Sequence, residues 1–141
     1  MPKASKTSQI AVPKPVDEKI TVNLGCVDLG QIDLLVQEGF YANRSDLIRT
    51  AIRNQLSTHS EVVRQVVSRK TLVLGIQHYS QVDLLAVQAA GEKLQIRVLG
   101  LASIAPDVTP ALALATIESL TVLGALHASP AVKAALVKRI R

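Results

Sequence analysis

The sequence predicts a mixed α+β protein, with a strand and two helices followed by a repeat region of β structure. Three observations carry this prediction. Residues 19–24 alternate polar and apolar side chains, which is the period of a strand with one buried face. Residues 28–56 place apolar side chains at helical spacing. After residue 70, the tripeptide Val-Leu-Gly recurs three times at spacings of 25 and 24 residues, a period typical of stacked units.

The composition excludes several classes of function. Aromatic residues make up only 2% of the 141 residues and Trp is absent, so a base-stacking surface or an aromatic-rich active site is not expected. The single cysteine, Cys26, allows no internal disulfide and favours a reducing compartment. No apolar run reaches the length of a signal peptide or a membrane span. We therefore expect a cytoplasmic protein without a membrane partner.

Residues 1–18 are predicted to form a flexible basic tail. They are rich in Lys, Ser, Thr, Gln and Pro, a composition that buries too little apolar surface to order itself. The alternative is a basic arm, in which Lys3, Lys6 and Lys14 contact DNA phosphate. The net charge of +5 is compatible with either interpretation.

The strand and two helices are predicted to form a domain over residues 19–69. Ile20, Val22 and Leu24 share one face of the strand. Asp28 is the expected N-cap of the first helix, and Gly39 stands where its C-terminus favours positive φ. Either Asn43 or Ser45 is expected to cap the second helix. Residues 57–69 extend that helix or begin a linker.

This domain is too small to fold as a monomer. A lone strand of six residues has no partner, and about 40 residues rarely build a sufficient core. If two copies pair their strands antiparallel, the four helices close over one face of the ribbon. The predicted core of this homodimer comprises Ile20, Val22, Leu24, Ile32, Ile48 and Ile52.

The region over residues 70–141 is predicted to be a small β-solenoid-like repeat domain. Short apolar runs such as 94–99 and 120–123 look like buried strands bounded by Gly and Pro turns. Segments 110–120 and 130–140 both open with Pro and remain alternative helices. Exposed strand edges in such a repeat favour association between chains, so we expect this domain to mediate oligomerisation or to bind another protein.

The N-terminal pattern resembles the Arc/MetJ/CopG-type ribbon-helix-helix DNA-binding proteins. The resemblance rests on the alternating segment 20–24 and on the run from Gly39 through the Arg-Ser-Asp-Leu-Ile-Arg-Thr-Ala stretch to Arg53. It covers residues 19–56, about a quarter of the chain. Gly25 and Cys26 depart from the charged residues that the family more often carries after its strand, which leaves the start of the first helix open.

The resemblance implies a bacterial-type regulator of transcription, expected to act as a repressor, that binds double-stranded DNA as a homodimer or higher oligomer. The outward strand residues Lys19, Thr21 and Asn23 correspond to side chains that read base edges in the major groove. Asn43, Arg44 and Ser45 correspond to the helix N-terminus that binds a phosphate. The simpler alternatives are that Thr21 and Asn23 are merely exposed and that Ser45 only caps a helix.

We expect no enzyme, metal or cofactor. His59, His78 and His127 are far apart in sequence and lack ligands at metal-binding spacing, and no phosphate loop or catalytic motif occurs. Two other functions remain open. One is an antitoxin that binds DNA with its N-terminus and a toxin with its C-terminus. The other is a structural, nucleoid-associated protein whose repeat polymerises while its N-terminus tethers the polymer to DNA.

Overall fold

The structure, a computed structural model, describes residues 17–141 and divides them into two compact units, residues 18–70 and residues 71–141. The predicted tail over residues 1–18 lies outside the described residues except for Asp17 and Glu18. Among the described residues, no helix is both long enough and apolar enough to cross a membrane.

Helix α1 spans Cys26–Gln37 and begins earlier than the sequence suggested. Its N-cap is Gly25, which has extended backbone and makes no side-chain cap, so the prediction that Asp28 caps this helix is wrong. Asp28 lies instead in the first turn, where its charge complements the helix dipole. At the other end Gly39 has φ +82, as predicted, and the Gly39 and Phe40 amides donate to the carbonyls of Val36 and Leu35. This is a Schellman motif.

Helix α2 spans Arg44–Thr58 and helix α3 spans Ser60–Lys70. Of the two residues expected to cap α2, the structure selects Asn43, whose Oδ1 accepts from the Asp46 amide at 2.8 Å. His59 separates the two helices. The stretch after residue 56 is therefore helical, but as a distinct third helix rather than a simple extension.

Residues 17–25 form no strand in the single chain, although the alternation of residues 19–24 predicted one. A strand is defined by backbone hydrogen bonds to a neighbour, and among the described residues the only strands that pair in a sheet are β1, β2 and β3. The strand thus stays a prediction for the homodimer, in which the segments of two chains would pair.

The C-terminal unit alternates strands and helices around a three-stranded parallel sheet in the order β1-β2-β3. The strands are β1 Val73–Tyr79, β2 Leu94–Ile104 and β3 Ile117–His127. The helices are α4 Gln81–Ala89, α5 Pro110–Thr116 and α6 Pro130–Leu136, followed by a 3-10 turn at Val137–Arg139. The predicted strands at 94–99 and 120–123 are confirmed. The alternative helices that open at Pro110 and Pro130 are observed as α5 and α6, so the preferred β-only interpretation of these two segments does not hold. Parallel strands need crossover segments, and here these are helices.

The Val-Leu-Gly repeat sets the register of the sheet. Gly75 pairs with Gly100, and Gly100 pairs with Gly124, so the three copies lie side by side. All three glycines have positive φ between +120 and +137. A Cβ at Gly100 would collide with the carbonyl oxygen of Gly75, and one at Gly124 with that of Gly100. Glycine recurs in the repeat because each strand approaches the previous one at this point.

One apolar cluster joins the strands and all three helices of this unit. It includes Ile96 and Val98 of β2, Leu120 of β3 and, from the helices, Leu84, Leu112, Ala113, Val132 and Leu136. The residue next to each repeat glycine does not belong to it: Leu74 is 71% exposed and Leu123 is 52% exposed. Leu74 and Leu123 therefore remain on the surface, and Leu99 between them is half-buried.

Candidate nucleic-acid interface

The first part of the candidate interface is the alternating segment before α1. Lys19, Thr21 and Asn23, predicted to read bases, are all exposed. Ile20 and Val22, predicted to enter the dimer core, are 76% and 67% exposed in the single chain. Both sets of side chains are therefore accessible in the single chain. Only pairing with a second chain would bury one set and leave the other exposed.

The N-terminal unit has no buried residue in the single chain: every residue from 18 to 70 is exposed or intermediate. Among the other predicted core residues, Ile32 is half-buried, while Leu24, Ile48 and Ile52 are exposed. Leu34, Leu56 and Phe40 add further exposed apolar surface. Apolar side chains in this number are stable in water only when something covers them.

The second part of the candidate interface is the N-terminus of α2. The Asn43 side chain satisfies the Asp46 amide, and the Asp46 carboxylate accepts from the Ala42 amide at 3.0 Å. The helix leaves the backbone N–H groups of its first two residues, Arg44 and Ser45, without an intrahelical acceptor. These two groups and the positive end of the helix dipole form the surface that an anion would meet.

Arg44 is already engaged by an acid that sequence spacing did not reveal. Its Nε lies 2.7 Å from Asp33 Oδ1 and its Nη2 lies 2.8 Å from Asp33 Oδ2, a bidentate salt bridge between α2 and α1. The hydrogen bond from Arg44 lowers the pKa of the Asp33 carboxyl, and the same bond raises the pKa of Arg44. The partners are eleven residues apart on different helices, so helical periodicity alone could not pair them.

The charges around this helix end are mixed. The Asp46 carboxylate lies in the first turn of α2, and Asp33 neutralises much of the Arg44 charge. An anion at this position would be held mainly by backbone N–H groups and the Ser45 hydroxyl, with Arg44 sharing its remaining N–H groups. Within residues 17–141, no group of three or more metal-ligating side chains comes together, and Cys26 is an exposed thiol.

The alternating segment, helix α1 and the capped helix α2 follow one another in the order of the ribbon-helix-helix class of proteins. The whole chain belongs to the Ribbon-Helix-Helix transcriptional regulator family, whose match covers residues 15–133. The match continues through β1 and nearly to the end of α6, so the repeat region lies within the family's extent. No curated protein and no solved structure matches the chain.

Proposed function

We propose that the protein is a homodimeric, sequence-specific DNA-binding repressor of the cytoplasm that works at the nucleoid. One observation carries the proposal. This chain belongs to a family of transcriptional regulators, and its N-terminal unit has no buried residue although residues 20–24 present apolar side chains at every second position. A unit of this kind becomes stable when a second copy supplies the missing core.

Dimerisation would give the two faces of residues 19–24 different roles. The segments of two chains pair antiparallel, and Ile20, Val22 and Leu24 turn towards the four helices. Their present exposure, from 44% to 76%, is the surface that such pairing would bury. The other face, with Lys19, Thr21 and Asn23 from each chain, forms a polar ribbon of a width that the major groove accepts.

Base recognition follows from the chemistry of that ribbon. Lys19 donates to guanine acceptors, the Asn23 amide bonds adenine through its donor and acceptor, and Thr21 bonds a base edge or contacts a thymine methyl. Because each chain supplies the same three side chains, the expected operator is a short repeated half-site. A dimer seated there would repress transcription from the DNA it covers.

Phosphate contacts would hold the ribbon in register. The Arg44 and Ser45 amides and the Ser45 hydroxyl lie at the N-terminus of α2, where the free N–H groups favour an anion. Such contacts position the protein but carry no sequence information. We propose that the Asp33 salt bridge holds the Arg44 guanidinium in place beside this helix end.

A genome-wide occupancy map tests the function. Crosslinked DNA is sequenced for the wild-type chain, for a Thr21→Ala/Asn23→Ala variant and for a matched Gln55→Ala/Asn54→Ala control on the body of α2. We expect a few sharp sites that share a short repeat, lost in the first variant and kept in the control. Broad occupancy without a motif in the wild-type protein would contradict sequence-specific regulation.

The leucine row of the C-terminal unit favours a second candidate, a structural protein that assembles on DNA. Leu74, Leu99 and Leu123 are aligned across the sheet, and two of them are more than half exposed. If the row mediates assembly, Leu123→Lys should reduce the particle mass of DNA-free protein in light scattering. Val137→Lys adds the same charge at another exposed apolar residue and should leave the mass unchanged. Equal masses for all three proteins would remove this candidate.

A further inference from the structure

The carboxyl ends of the three parallel strands carry two histidines with a serine between them. His78 of β1 pairs in register with Ser103 of β2, which pairs with His127 of β3. Residues in register on neighbouring strands point to the same face of a sheet. The short Ser103 side chain, which is buried, thus forms the floor of a notch whose walls are two imidazoles.

A groove opens over this notch. It has a volume of about 400 Å³ and is lined by His78, Ser103 and His127 together with Ile104, Pro106 and Ala128. Small-molecule sites have volumes of roughly 300–1,000 Å³, and open parallel sheets bind their ligands outside the carboxyl ends of the strands. The groove therefore has both the size and the position of a ligand site.

One polar atom at the groove lacks a partner. The Nδ1 atom of His78 is buried and has no hydrogen bond in the part of the chain that the structure describes. A buried ring nitrogen without a partner is unfavourable, and such atoms are uncommon in folded proteins. A modest rotation of the imidazole towards the notch would pair this nitrogen with a ligand atom placed above Ser103.

The side chains around the notch indicate the class of ligand. Neighbouring strands are about 4.8 Å apart, so His78 and His127 stand about 10 Å apart at their backbones. Within residues 17–141, no third His, Cys, Asp or Glu joins them in a group that could hold a metal ion, whereas a metal site in a protein has at least three protein ligands as a rule. A planar group that accepts hydrogen bonds from the His78 wall and from the floor fits the space between the two rings.

We propose that this groove binds a small organic carboxylate. The His78 imidazole and the Ser103 hydroxyl supply donors to its oxygens, and Ile104, Pro106 and Ala128 contact its apolar remainder. Among the described residues that line the groove there is no Asp or Glu to oppose an anion and no Lys or Arg to favour phosphate. The Asp83 carboxylate interacts with His78 from outside this lining and accepts hydrogen bonds from Ser80. This site lies wholly in the C-terminal unit, and its existence does not depend on DNA binding.

The three histidines of the chain make the site directly observable. In full-length protein labelled with ¹³C-histidine, the imidazole signals come only from His59, His78 and His127. Benzoate and butyrate are titrated as probes, with benzamide and inorganic phosphate as comparisons. We expect the carboxylates to shift the His78 and His127 signals together and saturably while the His59 signal, from the N-terminal unit, stays constant.

Variants test the geometry of the notch. Ser103→Val fills the floor and removes its hydroxyl, and should weaken benzoate binding about tenfold or more. His59→Gln is the matched control and should bind as the wild-type chain does. If Ser103→Val loses its helical circular dichroism, His127→Gln replaces it with the same expected loss. Absence of a saturable shift with either acid, equal binding of benzamide or phosphate, or joint shifts only with Zn²⁺ would each overturn the proposal.

Discussion

Arg44 and Asp33 join helices α2 and α1 of the N-terminal unit through paired contacts of 2.7 and 2.8 Å. The arginine that the family resemblance assigns to DNA phosphate is thus oriented by an acid from the preceding helix. Both side chains are about half exposed, so the pair contributes little to stability, as is usual for surface salt bridges. Its main effect is to fix where the guanidinium lies.

This salt bridge predicts a specific dependence on pH. Because the hydrogen bond from Arg44 lowers the pKa of Asp33, the pair stabilises the fold above the ordinary carboxyl pKa. That contribution is lost as the pH falls through the lowered value. We expect Arg44→Ala to return the Asp33 pKa to its ordinary range in a ¹³C carboxyl titration, with Arg53→Ala as control. An Asp33 pKa unchanged by Arg44→Ala would show that the two side chains do not pair in solution.

The same substitution should change how DNA affinity depends on salt. If Arg44 shares a phosphate contact, Arg44→Ala should weaken binding to all DNA sequences alike and reduce the slope of log K against log salt by about one. Fluorescence anisotropy at several salt concentrations measures both quantities. Arg53→Ala, on the body of α2, should keep the wild-type slope. If Arg44→Ala leaves the slope unchanged, Arg44 makes no phosphate contact, and its guanidinium stays paired with Asp33 in the complex.

Capping of α2 predicts a loss of stability at Asn43. Its side chain is the acceptor for the Asp46 amide at 2.8 Å, and removal of an N-cap costs about 1 kcal/mol. We expect Asn43→Ala to lower the urea midpoint accordingly. Asn54→Ala, in the interior of the same helix, removes no cap and should match or slightly exceed the wild-type midpoint. Equal midpoints for the two variants would contradict the assigned cap.

The glycine alignment of the sheet predicts that identical substitutions differ in cost. A Cβ added at Gly75 has no neighbouring atom, so Gly75→Ala costs only the strain of a positive φ. A Cβ added at Gly100 also collides with the Gly75 carbonyl. Backbone strain and overpacking each cost about 1–3 kcal/mol. Gly100→Ala should therefore lower the melting temperature of the C-terminal unit clearly more than Gly75→Ala does. Equal melting temperatures would contradict the close approach of β1 and β2.

Local sequence signals predicted the features that depend on neighbouring residues. Gly39 at positive φ was evident from residue type and spacing, and Asn43 was one of the two candidate caps of α2. The Val-Leu-Gly recurrence predicted repeated units, but not that its three copies pair side by side in one sheet. The helices of the repeat were harder to predict, because α5 and α6 have only seven residues each and are rich in Ala and Leu. Ser80 and Asp83, which form a capping box before α4, were a usable signal that the β interpretation overlooked.

Other features depend on contacts that spacing cannot reveal. The Arg44–Asp33 pair joins two helices, and the His78–Ser103–His127 row requires the register of three strands. The start of α1 at Cys26 depends on the extended backbone of Gly25, which the sequence allows but does not require. The predicted base-reading residues Lys19, Thr21 and Asn23 stay predictions, since their role depends on a second chain and on DNA.

The central claim is that the side chains of residues 19–24 alternate between a dimer core and a DNA-binding face. Sedimentation equilibrium of two variants substituted at neighbouring positions tests this claim. Val22→Asp places a charge in the proposed core, whereas Thr21→Asp places the same charge on the outer face. We expect a dimer mass for the wild-type chain and for Thr21→Asp, and loss of that mass for Val22→Asp. A wild-type monomer, or the same mass for both variants, would contradict the paired ribbon.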